Sequence, residues 1–190
     1  MESKMKNKKG DYLYLQNKKK IEILKTICLF SISAALYIAG LITVGSNKNY
    51  LTIVAVLGCL PASRSAVNMI MLLKAKGCSV ENYKKISNRF SEATGAFNMY
   101  FTSYDKNYDI SHVFVKGITM IAFTTDQKMD EAGFEEHIKN ILNRDNIKGI
   151  NVKLYKDLDK YLVRIEQMQN LENEKNREQD IIKTIFSVTL

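Results

Sequence analysis

Cysteine, histidine and proline are scarce in this chain: three, two and one among 190 residues. The thiols are Cys28 and Cys59, inside long apolar runs, and Cys78, just beyond the second run. So placed they cannot staple a small domain, which excludes a disulfide scaffold and fits a reducing compartment. Cys78 occupies the kind of juxtamembrane position at which S-acylation occurs, although an unmodified thiol is the simpler expectation. His112 sits in an apolar stretch and His137 follows Glu135-Glu136, with no Cys or Asp at metal-ligand spacing beside either. No metal and no cofactor is expected. The glycines never cluster into a phosphate loop, and no Ser, Thr or Cys stands in a Gly-x-Ser-x-Gly setting or beside a plausible base. Internal repeats and low-complexity linkers are absent as well. The usual catalytic sets are therefore missing.

What the chain has in quantity is apolar length. Thr26 to Asn47 carries no charge, and at about 1.5 Å per helical residue such a run covers a hydrocarbon layer of about 30 Å. Tyr50 to Leu73 is a second such run, interrupted once, by Arg64. The first run is too long for a signal-peptide core, so it is expected to stay as an anchor. Residues 26–73 thus predict a two-helix transmembrane hairpin with the lipid bilayer as its first partner. Residues 1–25 form a basic cytosolic tail, expected to be largely without structure, with Tyr12 to Leu15 at the lipid interface. Eight lysines stand there against three carboxylates, and Lys74, Lys76, Lys84 and Lys85 follow the second run. Positive flanks on the same side place the N-terminus and the C-terminal domain in the cytoplasm, on a multi-pass protein of the cell membrane. Beyond Leu73 the remaining 18 basic and 17 acidic side chains nearly cancel, so the total of +8 marks topology and argues against a nucleic-acid partner.

Small residues recur along both runs: Ser31, Ser33, Ala34, Ala35, Ala39 and Gly40, then Ala55, Gly58, Ala62, Ser65 and Ala66. They predict close packing within the hairpin; association of copies through these faces is the alternative use. Pro61 and Arg64 are the least usual pair. Proline removes a helical hydrogen bond, and an arginine in lipid is costly unless it snorkels to the headgroups. The simplest expectation is a span kinked at Pro61 that ends near Arg64, followed by an interfacial helix from Ser65 to Lys74. The sharper one makes Arg64 a ligand for a phosphate or lipid headgroup.

Residues 79–190 predict one small cytosolic α+β domain of order α-β-β-β-α-β-α-α. Helical spacing runs from Ser79 to about Ala93, stopped by Thr94-Gly95. Strands follow at Phe97–Ser103, with Phe97, Met99 and Phe101 alternating, at Ile110–Val115 and at Ile118–Thr124, with a tight turn at Lys116-Gly117. A helix opened by Asp126 to Asp130 and running to about Arg144, a strand Ile150–Tyr155, a helix Asp157–Met168 and a last segment Leu171–Val188 complete the order. Tyr100, Tyr104, Tyr108, Phe97 and Phe101 are better explained by sheet packing than by base stacking. Glu131, Glu135 and Glu136 are expected to line a solvated face.

The run Ser111-His112-Val113-Phe114-Val115-Lys116-Gly117-Ile118-Thr119-Met120-Ile121-Ala122-Phe123-Thr124, together with the element order over roughly 79–155, resembles the hairpin of nuclease-related domains of restriction-endonuclease-like fold. In that family an Asp-His-Val strand turns into a second strand ending Glu-x-Lys. The resemblance implies metal-dependent action on nucleic acid, and it carries the family's Asp, Glu and Lys onto Ser111, Ala122 and Thr124. All three functional side chains are lost. Asp109 and Asp126 remain as alternative metal ligands, and neither restores the pattern. The function expected is accordingly that of a membrane-anchored, non-enzymatic interaction or scaffold module with a protein partner. The alternative is a divergent restriction-endonuclease-like domain that binds or cleaves nucleic acid at the membrane.

Overall fold

The two apolar runs fold as two long helices in a computed structural model, which describes residues 8–46, 49–89, 95–103, 106–169 and 175–190. The first, α1, spans Tyr14–Val44 and the second, α2, Tyr50–Lys74. α1 starts twelve residues before the apolar run, so residues 14–25 are helical rather than an unstructured tail. Lys, Leu, Gln and Glu are good helix formers, and lengthening a helix already nucleated needs no second nucleus. α2 continues through Pro61 to Lys74 without interruption, in place of a span that ends near Arg64. Asn49 caps it by accepting from Thr52 N at 2.8 Å, and its amide reaches back to Gly40 O at 3.0 Å. Gln16–Ala75 form one compact unit in which α1 and α2 run antiparallel. Thr26 Oγ1 meets Ser65 Oγ at 2.9 Å, and a Cβ built on Gly58 would lie 2.8 Å from Ser33 Oγ. Of the small residues expected at the contact, Ser33, Gly40, Ala55, Ala62 and Ser65 are buried, whereas Ser31, Ala34, Ala35 and Ala39 are exposed.

Residues 1–15 and 76–190 form the second unit. Its elements are α3 (Val80–Arg89), β1 (Gly95–Thr102), β2 (Asn107–Lys116), β3 (Thr119–Phe123), α4 (Glu131–Arg144), β4 (Asn151–Tyr155), α5 (Leu158–Gln169) and α6 (Lys175–Val188). The order matches the one read from the sequence. Ala93, Thr94, Tyr104 and Leu171 lie outside the described residues, and Gly95 opens β1 instead of closing a helix. α4 starts at the end of the Asp126–Asp130 segment: the Asp126 carboxylate accepts from Lys128 N at 3.0 Å and Asp130 provides the cap, accepting from Gly133 N at 3.1 Å.

The four strands form one sheet in the order β1-β2-β3-β4, antiparallel except for the parallel pair β3–β4, which α4 connects. Helices cover both faces. Phe134, Ile138 and Leu142 of α4 and Ile181 and Ile185 of α6 pack on Val113, Val115, Met120, Ala122, Val152 and Leu154. Ile86 of α3 and Tyr161, Leu162, Ile165 and Met168 of α5 pack on Phe114, Ile121 and Phe123. Alternate residues of β2 and β3 therefore serve opposite cores, as the two-residue period of a strand dictates.

That period slips at one level of the sheet, in β1 and β2 together: Tyr108 and Ile110 lie in the core of α4 and α6, whereas His112 and Phe114, of the same parity, face the core of α3 and α5. Phe97 faces the core of α3 and α5, whereas Met99 and Phe101 lie in the other core, so the three do not share a face. Asn98 stands between them at φ +57°, and the slip occurs with no residue inserted: Phe97 pairs with His112 and Met99 with Ile110. The left-handed Asn98 turns β1 at this level, and β2 changes faces opposite it at Ser111.

Both sheet edges are occupied by the chain itself. On β1, Phe97 N donates to Gly10 O at 2.8 Å, Leu190 N donates to Tyr100 O at 3.1 Å, and Phe101 bridges to Thr189. On β4, Leu154 N donates to Glu135 Oε1 at 3.1 Å, and the same oxygen meets Lys153 Nζ at 3.2 Å, while Glu131 pairs with Lys156. Glu131 and Glu135 thus fasten α4 to β4 and are not a merely solvated flank. Such covering removes the unpaired edge that would recruit another strand.

The β2–β3 turn places Gly117 at φ +54°, and its buried N–H donates to Glu178 Oε1 of α6 at 2.8 Å. Glu178 is 2% exposed. Replacing it by Ala orphans that donor and should destabilise the fold by about 1–3 kcal/mol, with Gln restoring most of the loss. Denaturant unfolding of the three proteins measures this; an Ala variant as stable as the parent would contradict it.

Candidate functional site

Asp109 and Asp126 are drawn to one place by Thr124, whose Oγ1 donates to Asp109 O at 2.8 Å and accepts from Asp126 N at 3.1 Å. Their carboxylates serve the backbone. Asp109 Oδ2 accepts from Lys76 N at 2.6 Å and Gly77 N at 3.3 Å, and Asp126 Oδ1 takes Lys128 N. Ser111 and Ala122 are buried within the sheet. Among the described residues no group of three or more His, Cys, Asp or Glu side chains is placed to hold a metal ion.

The residues that do converge are ones the motif reading passed over. Asn98, 8% exposed, accepts from Cys78 N through Oδ1 and donates from Nδ2 to Tyr12 O at 2.6 Å. It thereby ties the segment that precedes α1 to the segment that follows α2. Around it Tyr12 stacks on Tyr83 at 4.1 Å between ring centroids, Tyr83 packs edge-on to Phe97 at 5.0 Å, and Gly77 takes φ +72° with Asn98 Oδ1 2.7 Å from where a Cβ would stand. Lys9 donates to the carbonyls of Phe186 and Thr189. Residues 8–12 therefore dock on the domain, in contrast to the interfacial Tyr/Leu cluster expected. The one signal in the sequence was an asparagine in the middle of an apolar strand, a residue poor at pairing in sheets but tolerant of positive φ.

Next to this junction lies a polar pair in the core. His112 Nδ1 is 2.7 Å from Tyr161 Oη, linking β2 to α5, and both rings are buried. Burial depresses the imidazole to a pKa of about 3 and raises the Tyr161 phenol well above its usual range. Cys78, 7% exposed, has its thiol pushed up to about 12 by burial. A buried, fully protonated thiol is a poor nucleophile and is not presented for acylation in this fold. Tyr100, Phe101 and Tyr108 are buried too, so they pack the sheet and offer no stacking surface.

In the helical unit Pro61 and Arg64 are exposed on α2, flanking the buried Ala62 and Ser65. Arg64 has no ion-pair partner among the described residues. A polar depression of about 460 Å³ lined by Asp145, Asn146, Ile147, Asp180, Lys183 and Thr184 opens on the α4–α6 side, with Thr184 Oγ1 bonded to Asp145 at 3.0 Å. Its wide mouth and two scattered carboxylates suit no particular ligand.

Two outcomes follow from the junction. Asn98→Gly keeps the backbone conformation and loses the two bonds, whereas Asn98→Ala adds the left-handed penalty, so Ala should be less stable than Gly by about 1 kcal/mol. Equal stabilities in denaturant titration would mean that the left-handed residue carries no strain. His112 is neutral when folded but protonates near pH 6.5 when unfolded, so stability is complete above that pH. It should fall by up to about 1.4 kcal/mol per pH unit as pH drops towards 3. His112→Phe should remove this component of the acid profile; an unchanged profile would assign it to other groups. No family model, no curated protein and no solved structure matches this chain, so its family rests on no relative.

Proposed function

We propose that the chain is a non-enzymatic, membrane-anchored interaction module, in which α1 and α2 hold the small α+β domain at the cytoplasmic face of a bilayer for a protein partner. The observation that carries this reading is the exposure of large apolar side chains along both helices, among them Ile42 at 79%, Leu60 at 68% and Val56 at 64%. A core helix of a soluble protein buries such residues; hydrocarbon is the solvent that suits them. The lysine flanks supply the orientation. Support for a binding rather than a catalytic domain comes from its near-neutral charge and from carboxylates engaged with backbone amides.

Alkaline extraction and flotation of the full chain test the anchor: it should stay with the bilayer after carbonate treatment, and release would overturn the reading. Photo-crosslinkers at exposed domain positions such as Lys160 and Val163 should yield a discrete protein adduct in membranes. The second reading, a restriction-endonuclease-like domain acting on nucleic acid, draws support from the element order alone. Metal-dependent cleavage of DNA or RNA by the full chain in detergent, lost in Asp109→Asn, would replace the first reading with this one.

A further inference from the structure

The contacts between α1 and α2 set one register. Thr26 meets Ser65, Ser33 meets Gly58 and Gly40 meets Leu51, so each step along α1 is matched by one step back along α2. In that register Arg64 lies opposite Ile27, within two residues, or about 3 Å of rise, of Lys25. Lys25 immediately precedes the buried Thr26, and Arg64 immediately precedes the buried Ser65. In an antiparallel pair, positions that precede contact residues fall on the same flank of both helices. Lys25 and Arg64 therefore share one flank at one height, and both are exposed. Lys18, a heptad before Lys25, and Asn68, one turn after Arg64, continue that flank, while Ile23, Ile27 and Ala66 make the opposite one apolar.

Three features give the site its chemistry. Glu22 lies 3.5 Å from Lys25 Nζ with its Oε2 buried and without a hydrogen bond, so Lys25 has a partial countercharge, while Arg64 has none among the described residues. Two long cationic side chains beside each other suit a phosphate. Apolar surface adjoins the cations on the bilayer side: Ile32, a heptad after Lys25, and Leu57, a heptad before Arg64, continue the same flank towards the α1–α2 turn and are 53% and 58% exposed. A free phosphate makes no use of those side chains, whereas a phospholipid lays its acyl carbons over them while its phosphate reaches the cations.

We propose that Lys25 and Arg64 form a binding site for the phosphate of an anionic phospholipid. This rests on the reading of α1 and α2 as membrane helices. The full chain and the double variant Lys25→Gln/Arg64→Gln are reconstituted in phosphatidylcholine vesicles with and without phosphatidylglycerol. Lipid retained after mild detergent extraction is read by native mass spectrometry, with flotation recorded for each sample. The parent should retain phosphatidylglycerol about tenfold over phosphatidylcholine, and the double variant should lose the preference while floating unchanged. Arg64→Lys should keep most of it, which separates charge from packing. Equal retention by parent and double variant overturns the site, and displacement by millimolar inorganic phosphate would reassign it to a soluble anion. Failure of the parent to float would instead overturn the membrane reading itself.

Discussion

Asn98 holds the backbone of Tyr12 with its amide nitrogen and that of Cys78 with its amide oxygen, and much of the globular unit depends on those two hydrogen bonds. Tyr12 comes from before the first long helix and Cys78 from after the second, so one side chain closes a loop of more than sixty residues onto the sheet. Antiparallel packing of α1 and α2 already draws the two segments together, and well-placed partners then hold them. Asp109 supplies more of them, taking the amides of Lys76 and Gly77. The same asparagine sits at positive φ and exchanges the faces of β1, so that Phe97 joins the core around Tyr161 while Met99 and Phe101 join the core around Phe134. Backbone conformation, core assignment and chain closure meet in one residue.

The polar groups of the domain are mostly engaged in holding it together. Glu178 holds a turn, Glu135 an edge strand, Asp130 and Asp157 helix starts, and His112 with Tyr161 a bridge between sheet and helix. Buried polar groups left without partners would each cost on the order of 1–3 kcal/mol, so their pairing is what a stable small domain requires.

The helical unit follows the opposite rule. Most of its large apolar side chains face outward, while Thr26, Ser33, Ala55, Ala62 and Ser65 are buried and Ser31, Ala34, Ala35 and Ala39 are exposed. Such a distribution is the one the proposed membrane hairpin requires. Placing Arg64 at the height of Lys25 removes the puzzle of a lone cation in an apolar helix, since the two share a tier near the lysine-rich end.

Much of this was written in local sequence. Two uncharged or nearly uncharged runs, the period of apolar residues in each domain element, and the turn at Gly117 depend on neighbours a few residues apart, so helix and strand order could be read directly. Lysine placement likewise needed no tertiary information to suggest an orientation. Three matters were decided only by the folded chain: the docking of residues 8–12, the exchange of faces at Asn98, and the engagement of Asp109 with Lys76 and Gly77 rather than with a cation. Each depends on hydrogen bonds or ring contacts between segments tens of residues apart, and no local period or motif encodes such pairings. Asn98 in particular looks like a flaw in a strand when read alone, and becomes a fastening only once Tyr12 and Cys78 are beside it.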